Sequence, residues 1–206
     1  MRDYSKIDAD LNFIQMASLL NPIFRQTIDH GGTGYHGGLI EYQGQGILLS
    51  GPSGTGKSTC CRRIPAPWQA LSDDECLISW HDEQFKVQPL PTWSVFSSFN
   101  QTDSTAKKTW DTSRVLPLRA IFLLQQGNED KASPVTSGEA VISLVREALG
   151  PFLRAVPAQQ QQDADIIHYR TQIFNNICHL AKTVPVYDLS VRKDGEFWRE
   201  IERVLG

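Results

Sequence analysis

Apolar positions recur along the chain with two different periods, and the switches between them outline an alternation of helices and strands. Over residues 8–20, DADLNFIQMASLL, the spacing is helical behind Asp8 or Asp10 as a cap, and Pro22 is expected to limit the helix. The runs 39–42 and 46–49 flank a Gln43-Gly44 turn, the pattern of a hairpin or of two sequential strands. KSTCCRRI, residues 57–64, has room only for a brief helix before Pro65 and Pro67. WQALSDDECLISW, 68–80, reads as a strand whose tip carries paired carboxylates, with HDEQ a turn and FKVQPL a return strand.

Residues 96–113 are polar and weakly periodic, which predicts a surface loop. The nearby aromatics Trp93, Phe96, Phe99 and Trp110 read as packing residues before they read as a substrate groove. VLPLRAIFLLQQ, 115–126, is a strand apolar enough at 120–124 to be buried on both faces. Helical spacing returns over 137–156, where Ser137 or Thr136 pairs with Glu139 as a capping box, and over 164–183. Between these helices lies the low-complexity linker AQQQQDAD. VPVYDLSV is the last strand, and a terminal helix comes after it with Asp194 as its cap. Strands interleaved with helices predict an α/β fold, helices against a mixed sheet.

With 206 residues, 40% of them hydrophobic and 21% charged, the chain can bury one core and is expected to form a single domain over 1–206. The formal charge of -3 argues against a nucleic-acid or anionic-membrane partner. Cys60, Cys61, Cys76 and Cys178 lack CxxC spacing, and neither a signal peptide nor a spanning apolar run is apparent, so reduced cysteines and a cytoplasmic location are expected. Adjacent Cys178 and His179 point in different directions on a helix and predict packing, not metal binding.

Three short stretches carry chemistry. GPSGTGKST places Gly51, Pro52, Ser53, Gly54, Thr55, Gly56, Lys57, Ser58 and Thr59 between an apolar strand and a helix, matching G-x-x-x-x-G-K-[ST]. The glycines let backbone N–H groups converge on phosphate oxygens, Lys57 would reach terminal phosphates, and Ser58 would ligate Mg²⁺. SDDE supplies Asp73 and Asp74, which could divide metal binding and proton acceptance between them. YHGG sets His36 in a glycine context where a phosphate can approach closely, for proton relay or hydrogen bonding; the alternative is a structural turn.

In this order the three elements resemble the kinase domain of the HPr kinase/phosphorylase family, and more distantly phosphoenolpyruvate carboxykinase. The likeness covers residues 36–78 well and 115–124 loosely. Its layout is also similar to short single-domain members encoded in cassettes for modified peptides, including the SynChlorMet cassette ScmC family. The resemblance implies a carboxykinase-like, HPr kinase-like P-loop core with a mixed β-sheet flanked by helices. By position it implies that His36 contacts phosphate or relays a proton and that Lys57 clamps phosphate. Asp73 would be the base, Ser58 and Asp74 the metal ligands, and Arg114 a stabiliser of transition-state charge.

The expected activity is transfer of phosphate from ATP, with Mg²⁺, to a serine of a peptide or protein; the family also admits a homo-oligomer. A small-molecule kinase and a non-catalytic nucleotide-binding module remain alternatives.

Overall fold

A computed structural model describes residues 18–91 and 111–206 of the chain. The start of the opening helix, most of the polar loop and the aromatics Trp93, Phe96, Phe99 and Trp110 lie outside the described residues. Helix α1 occupies 18–29 and runs through Pro22, not up to it. Leu20, Phe24 and Ile28 recur every four residues and are buried, and this apolar stripe holds the helix beyond the proline's missing donor.

Two long strands organise the sheet. Strand β1, Thr33–Tyr42, turns through Gln43 and Gly44 into β2, Gln45–Ser50. Both turn residues have positive φ, 51° and 77°, the conformation of a two-residue hairpin turn whose twist matches the strands. Strands β3, Gln69–Ser72, β4, Glu75–His81, and β5, Gln84–Pro89, come next, then β6, Leu116–Gln126, β7, Lys131–Pro134, and β8, Val186–Val191.

The sequence predicts one strand where β3 and β4 stand. The chain breaks at Asp73–Asp74 because each piece pairs with a different part of β1: β4 with Thr33–His36 and β3 with Leu39–Glu41. Strand β6 is shared in the same way, antiparallel to β5 at its start and parallel to β2 and β8 beyond. The pairings β1–β4–β5–β6–β2–β1 therefore close a ring, and β8 and β7 extend the sheet from β6.

Alternation along the inner strands produces three layers. Leu39, Leu48, Ile121 and Val186 face one core, shared with α1 and with helices α3, Ser137–Arg154, and α4, Ala164–Thr183. Ile40, Ile47, Leu49, Phe122 and Leu189 face the other, beneath α2, Lys57–Arg63, and α5, Phe197–Leu205. The β6 centre is thus buried on both faces, as expected. Cys60 and Cys61 pack into the second core, Cys76 is also buried, and all four cysteines are free thiols.

Helix caps differ in detail. Thr136 caps α3 in a complete capping box with Glu139. At α5 the cap position is Glu196, not Asp194, without a side-chain bond. His179 packs edge-on to Trp80 with ring centroids 4.5 Å apart, a packing role as expected. No helix among the described residues is long and apolar enough to cross a membrane.

Candidate functional site

The site forms where β2 ends. Ser50, its last residue, is tied to β1 by a 2.6 Å hydrogen bond with the Tyr35 hydroxyl, inside the core. The chain then leaves the sheet as the glycine-rich loop, with φ of 86° at Gly54 and 105° at Gly56, values that favour glycine. Thr55 Oγ1 donates to the Pro52 carbonyl at 2.8 Å, and Gln126 Nε2 from the end of β6 donates to the Gly54 carbonyl at 3.1 Å. Helix α2 starts at Lys57 and lies close on β1, since a Cβ built on Gly38 would stand 2.8 Å from Cys61 Sγ.

Lys57 folds back over its own loop. Its Nζ donates to the carbonyls of Gly51 at 2.6 Å and Pro52 at 3.1 Å, and the residue is only 5% exposed. Burial pulls the ammonium below its ordinary pKa, while the charges of Glu147 and Asp74 work the other way. Ser58, one residue on, donates through Oγ to the Asp73 backbone carbonyl at 3.3 Å.

The split between β3 and β4 sets the carboxylates. Because both strands pair with β1, with His36 opposite Glu75 and Leu39 opposite Ser72, their two-residue link crosses opposite Gly37 and Gly38, and the Gly37 N–H donates to the Asp74 carbonyl at 2.9 Å. Asp74 Oδ1 lies 4.0 Å from His36 Nε2. Burial pushes the Asp74 carboxyl above the ordinary aspartate range, against the pull of His36 and Arg154. Glu75 is buried beside them and paired with Arg154, whose charge opposes the upward push of burial on its carboxyl.

One residue on α3 joins the site without having been predicted. Glu147 is 5% exposed, accepts from His36 Nδ1 at 2.6 Å through Oε2, and accepts from Arg146 Nε at 2.9 Å through Oε1. Burial alone would raise its carboxyl, but these two bonds outweigh it and hold Glu147 below the ordinary glutamate range. An ionised carboxylate only accepts, so His36 Nδ1 is the donor in this bond and Nε2 is turned to Asp74. Glu147 left a trace in the sequence. It occupies the buried stripe of α3 with Ala140, Leu144 and Ala148, where helical period calls for an apolar residue.

The structure thus gathers His36, Lys57, Ser58, Asp73 and Asp74 around the loop Gly51–Thr59. It does not bring Arg114 to them. Arg114 Nη2 lies 2.5 Å from Glu41 Oε2 and Nη1 donates to Gln69 at 3.0 Å. Glu41 pairs with Gly46 at the start of β2, whereas the loop leaves from Ser50, about 13 Å along the strand.

No three His, Cys, Asp or Glu among the described residues form a group that could hold a metal ion by themselves. The Ser58 hydroxyl, which reaches the backbone of the Asp73–Asp74 pair, and the carboxylates of that pair are oxygen donors of the type that fits a Mg²⁺ arriving with phosphate oxygens and keeping several waters.

The family model for the SynChlorMet cassette protein ScmC matches residues 4–206. The chain belongs to the ScmC family. The loop, the aspartate pair and the His36–Glu147 contact are therefore features of an ScmC-family protein. No curated protein matches it. Among solved structures, the chain is similar to the HPr(Ser) kinase/phosphatase from Coxiella burnetii, at 9% identity and a TM-score of 0.41, over 84% of this chain and 87% of that one.

Proposed function

We propose that the chain is a phosphotransferase that moves the terminal phosphate of ATP to a serine hydroxyl of a peptide or protein, with Mg²⁺ as cofactor. The observation that carries this reading is the convergence, at the end of β2, of the loop with Lys57, Ser58, two adjacent aspartates and a histidine oriented by a buried glutamate. Membership in a cassette protein family supports an acceptor encoded in the same cassette.

In the proposed reaction the loop amides and Lys57 take the phosphates, Lys57 exchanging its loop carbonyls for phosphate oxygens. Mg²⁺, when bound, neutralises charge on the phosphates. Ser58 Oγ bonds the Asp73 backbone and the metal side is assigned to Ser58 and Asp73, because Asp74 faces His36 and has a carboxyl raised by burial, which suits a proton acceptor. This exchanges the roles of the two aspartates expected from the sequence. The acceptor oxygen forms a bond to the terminal phosphorus as the bridging P–O bond breaks, ADP leaves, and the hydroxyl proton passes to Asp74. His36, held by Glu147, keeps Nε2 beside that carboxyl.

Incubation of the protein with Mg-ATP and the peptides encoded beside its gene tests the reading by intact mass. A gain of one phosphate on a serine is expected. Tight nucleotide binding without transfer to any of them would overturn it in favour of a non-catalytic nucleotide-binding module.

A further inference from the structure

Arg146 stands one residue before Glu147 on α3 and has no part in the proposed phosphate transfer. The residue lines a cleft of about 200 Å³ together with Ser50, Gly51 and Pro52 at the start of the loop, Ser143 one turn earlier on α3, and Asp188 on β8. Among the described residues its Nε is engaged by Glu147, and the side chain is 62% exposed. Glu147 therefore acts as a fork: one oxygen holds His36 and the other holds Arg146. The positive charge of Arg146 acts on Lys57 in the direction opposite to Glu147. Two cations facing one loop match a ligand with more than one negative oxygen.

Asp188 bounds where that ligand could sit. It belongs to β8, which is separated from β2 by β6, so it lies about two strand spacings, roughly 10 Å, from the loop wall. Its charge disfavours an anion on the β8 side and leaves the Gly51–Pro52 side to the guanidinium.

We propose that Arg146, braced by Glu147, is the second cation for the terminal phosphate of a nucleotide held by the Gly51–Thr59 loop. The proposal rests on the phosphotransferase reading only in taking that loop as a nucleotide site. It gives the role expected of Arg114 to an arginine 32 positions further along, which α3 carries over the end of β2. Glu147 is here a positioning residue: it fixes the guanidinium plane so that the Nη groups remain for phosphate oxygens.

Calorimetric titration of wild type, Arg146→Gln and Arg146→Lys with Mg-ATP and Mg-ADP tests the assignment, with melting temperatures recorded on the same samples. Arg146→Gln is expected to bind ATP about tenfold more weakly, the scale of one charge-assisted contact, with ADP affinity changed far less. Arg146→Lys, which keeps the charge and loses the fork, should fall between them. An ATP-to-ADP ratio in Arg146→Gln equal to wild type would overturn the proposal and leave the loop reading standing. A variant that binds both nucleotides normally but needs more peptide acceptor would also overturn it, placing the guanidinium on an acceptor carboxylate. If wild type binds neither nucleotide, both readings fall.

Discussion

Replacing Lys57 with Met is expected to slow phosphate transfer about 10³-fold while the protein stays folded. The Lys57 ammonium is almost wholly out of water, hydrogen-bonded to the Gly51 and Pro52 carbonyls within the loop itself. A buried cation costs free energy in the folded state, and its lowered pKa records that cost. Methionine has similar length and reach but carries no charge to desolvate. The melting temperature of Lys57→Met should therefore hold or rise slightly, while single-turnover transfer from ATP collapses. A variant that unfolds would show the lysine to be mainly a strut for the loop; one that transfers at the wild-type rate would remove it from the reaction.

The second large effect belongs to Glu147. Its removal as Glu147→Ala leaves the part-buried His36 Nδ1 and the more exposed Arg146 Nε without their shared acceptor, and an unsatisfied donor such as that of His36 costs about 2 kcal/mol. Chemical denaturation should show that loss. Glu147→Gln keeps an acceptor oxygen and should lose less, yet it cannot hold both partners as an ionised carboxylate does, so transfer should still fall. The pH dependence carries a defined sign. Glu147 has a folded pKa below its ordinary value, so its contribution to stability is present above about pH 4.5 and fades as pH falls through the folded value. The stability gap between wild type and Glu147→Gln should accordingly narrow on acidification below that point. Glu75, whose carboxyl is raised, is common to both proteins and cancels from the comparison. A gap that widens on acidification would contradict the arrangement.

Much of the candidate site was legible because it is local. The loop, the aspartate pair and His36 are short contiguous motifs, and the strand context that gives them meaning is visible in the alternation of 39–49. The break between β3 and β4 was not, since nothing within 68–80 states that its two halves will pair with different stretches of β1. The same gap hid Glu147 and Arg146, 111 and 110 residues from His36 in sequence. Their place depends on how α3 packs across β1, a tertiary fact with no local pattern except one carboxylate on an apolar stripe. Arg114 failed in the opposite direction. The resemblance to a carboxykinase segment that carries a phosphate-binding arginine implies its role, but the strand after it begins at the far end of the sheet from the loop. Strand β7 is four residues long and among the described residues pairs with β8 alone, too short to show a period of two.

Either the carboxylates at the β3–β4 break do chemistry or they merely line a phosphate site. The most direct measurement is single-turnover transfer from Mg-ATP to the serine peptide by wild type and Asp74→Asn, with ATP affinity measured on the same preparations. The variant should transfer at least about 10²-fold more slowly, the scale of a general base, with ATP affinity within a few-fold of wild type. Equal transfer rates in the two proteins would contradict a catalytic role for Asp74.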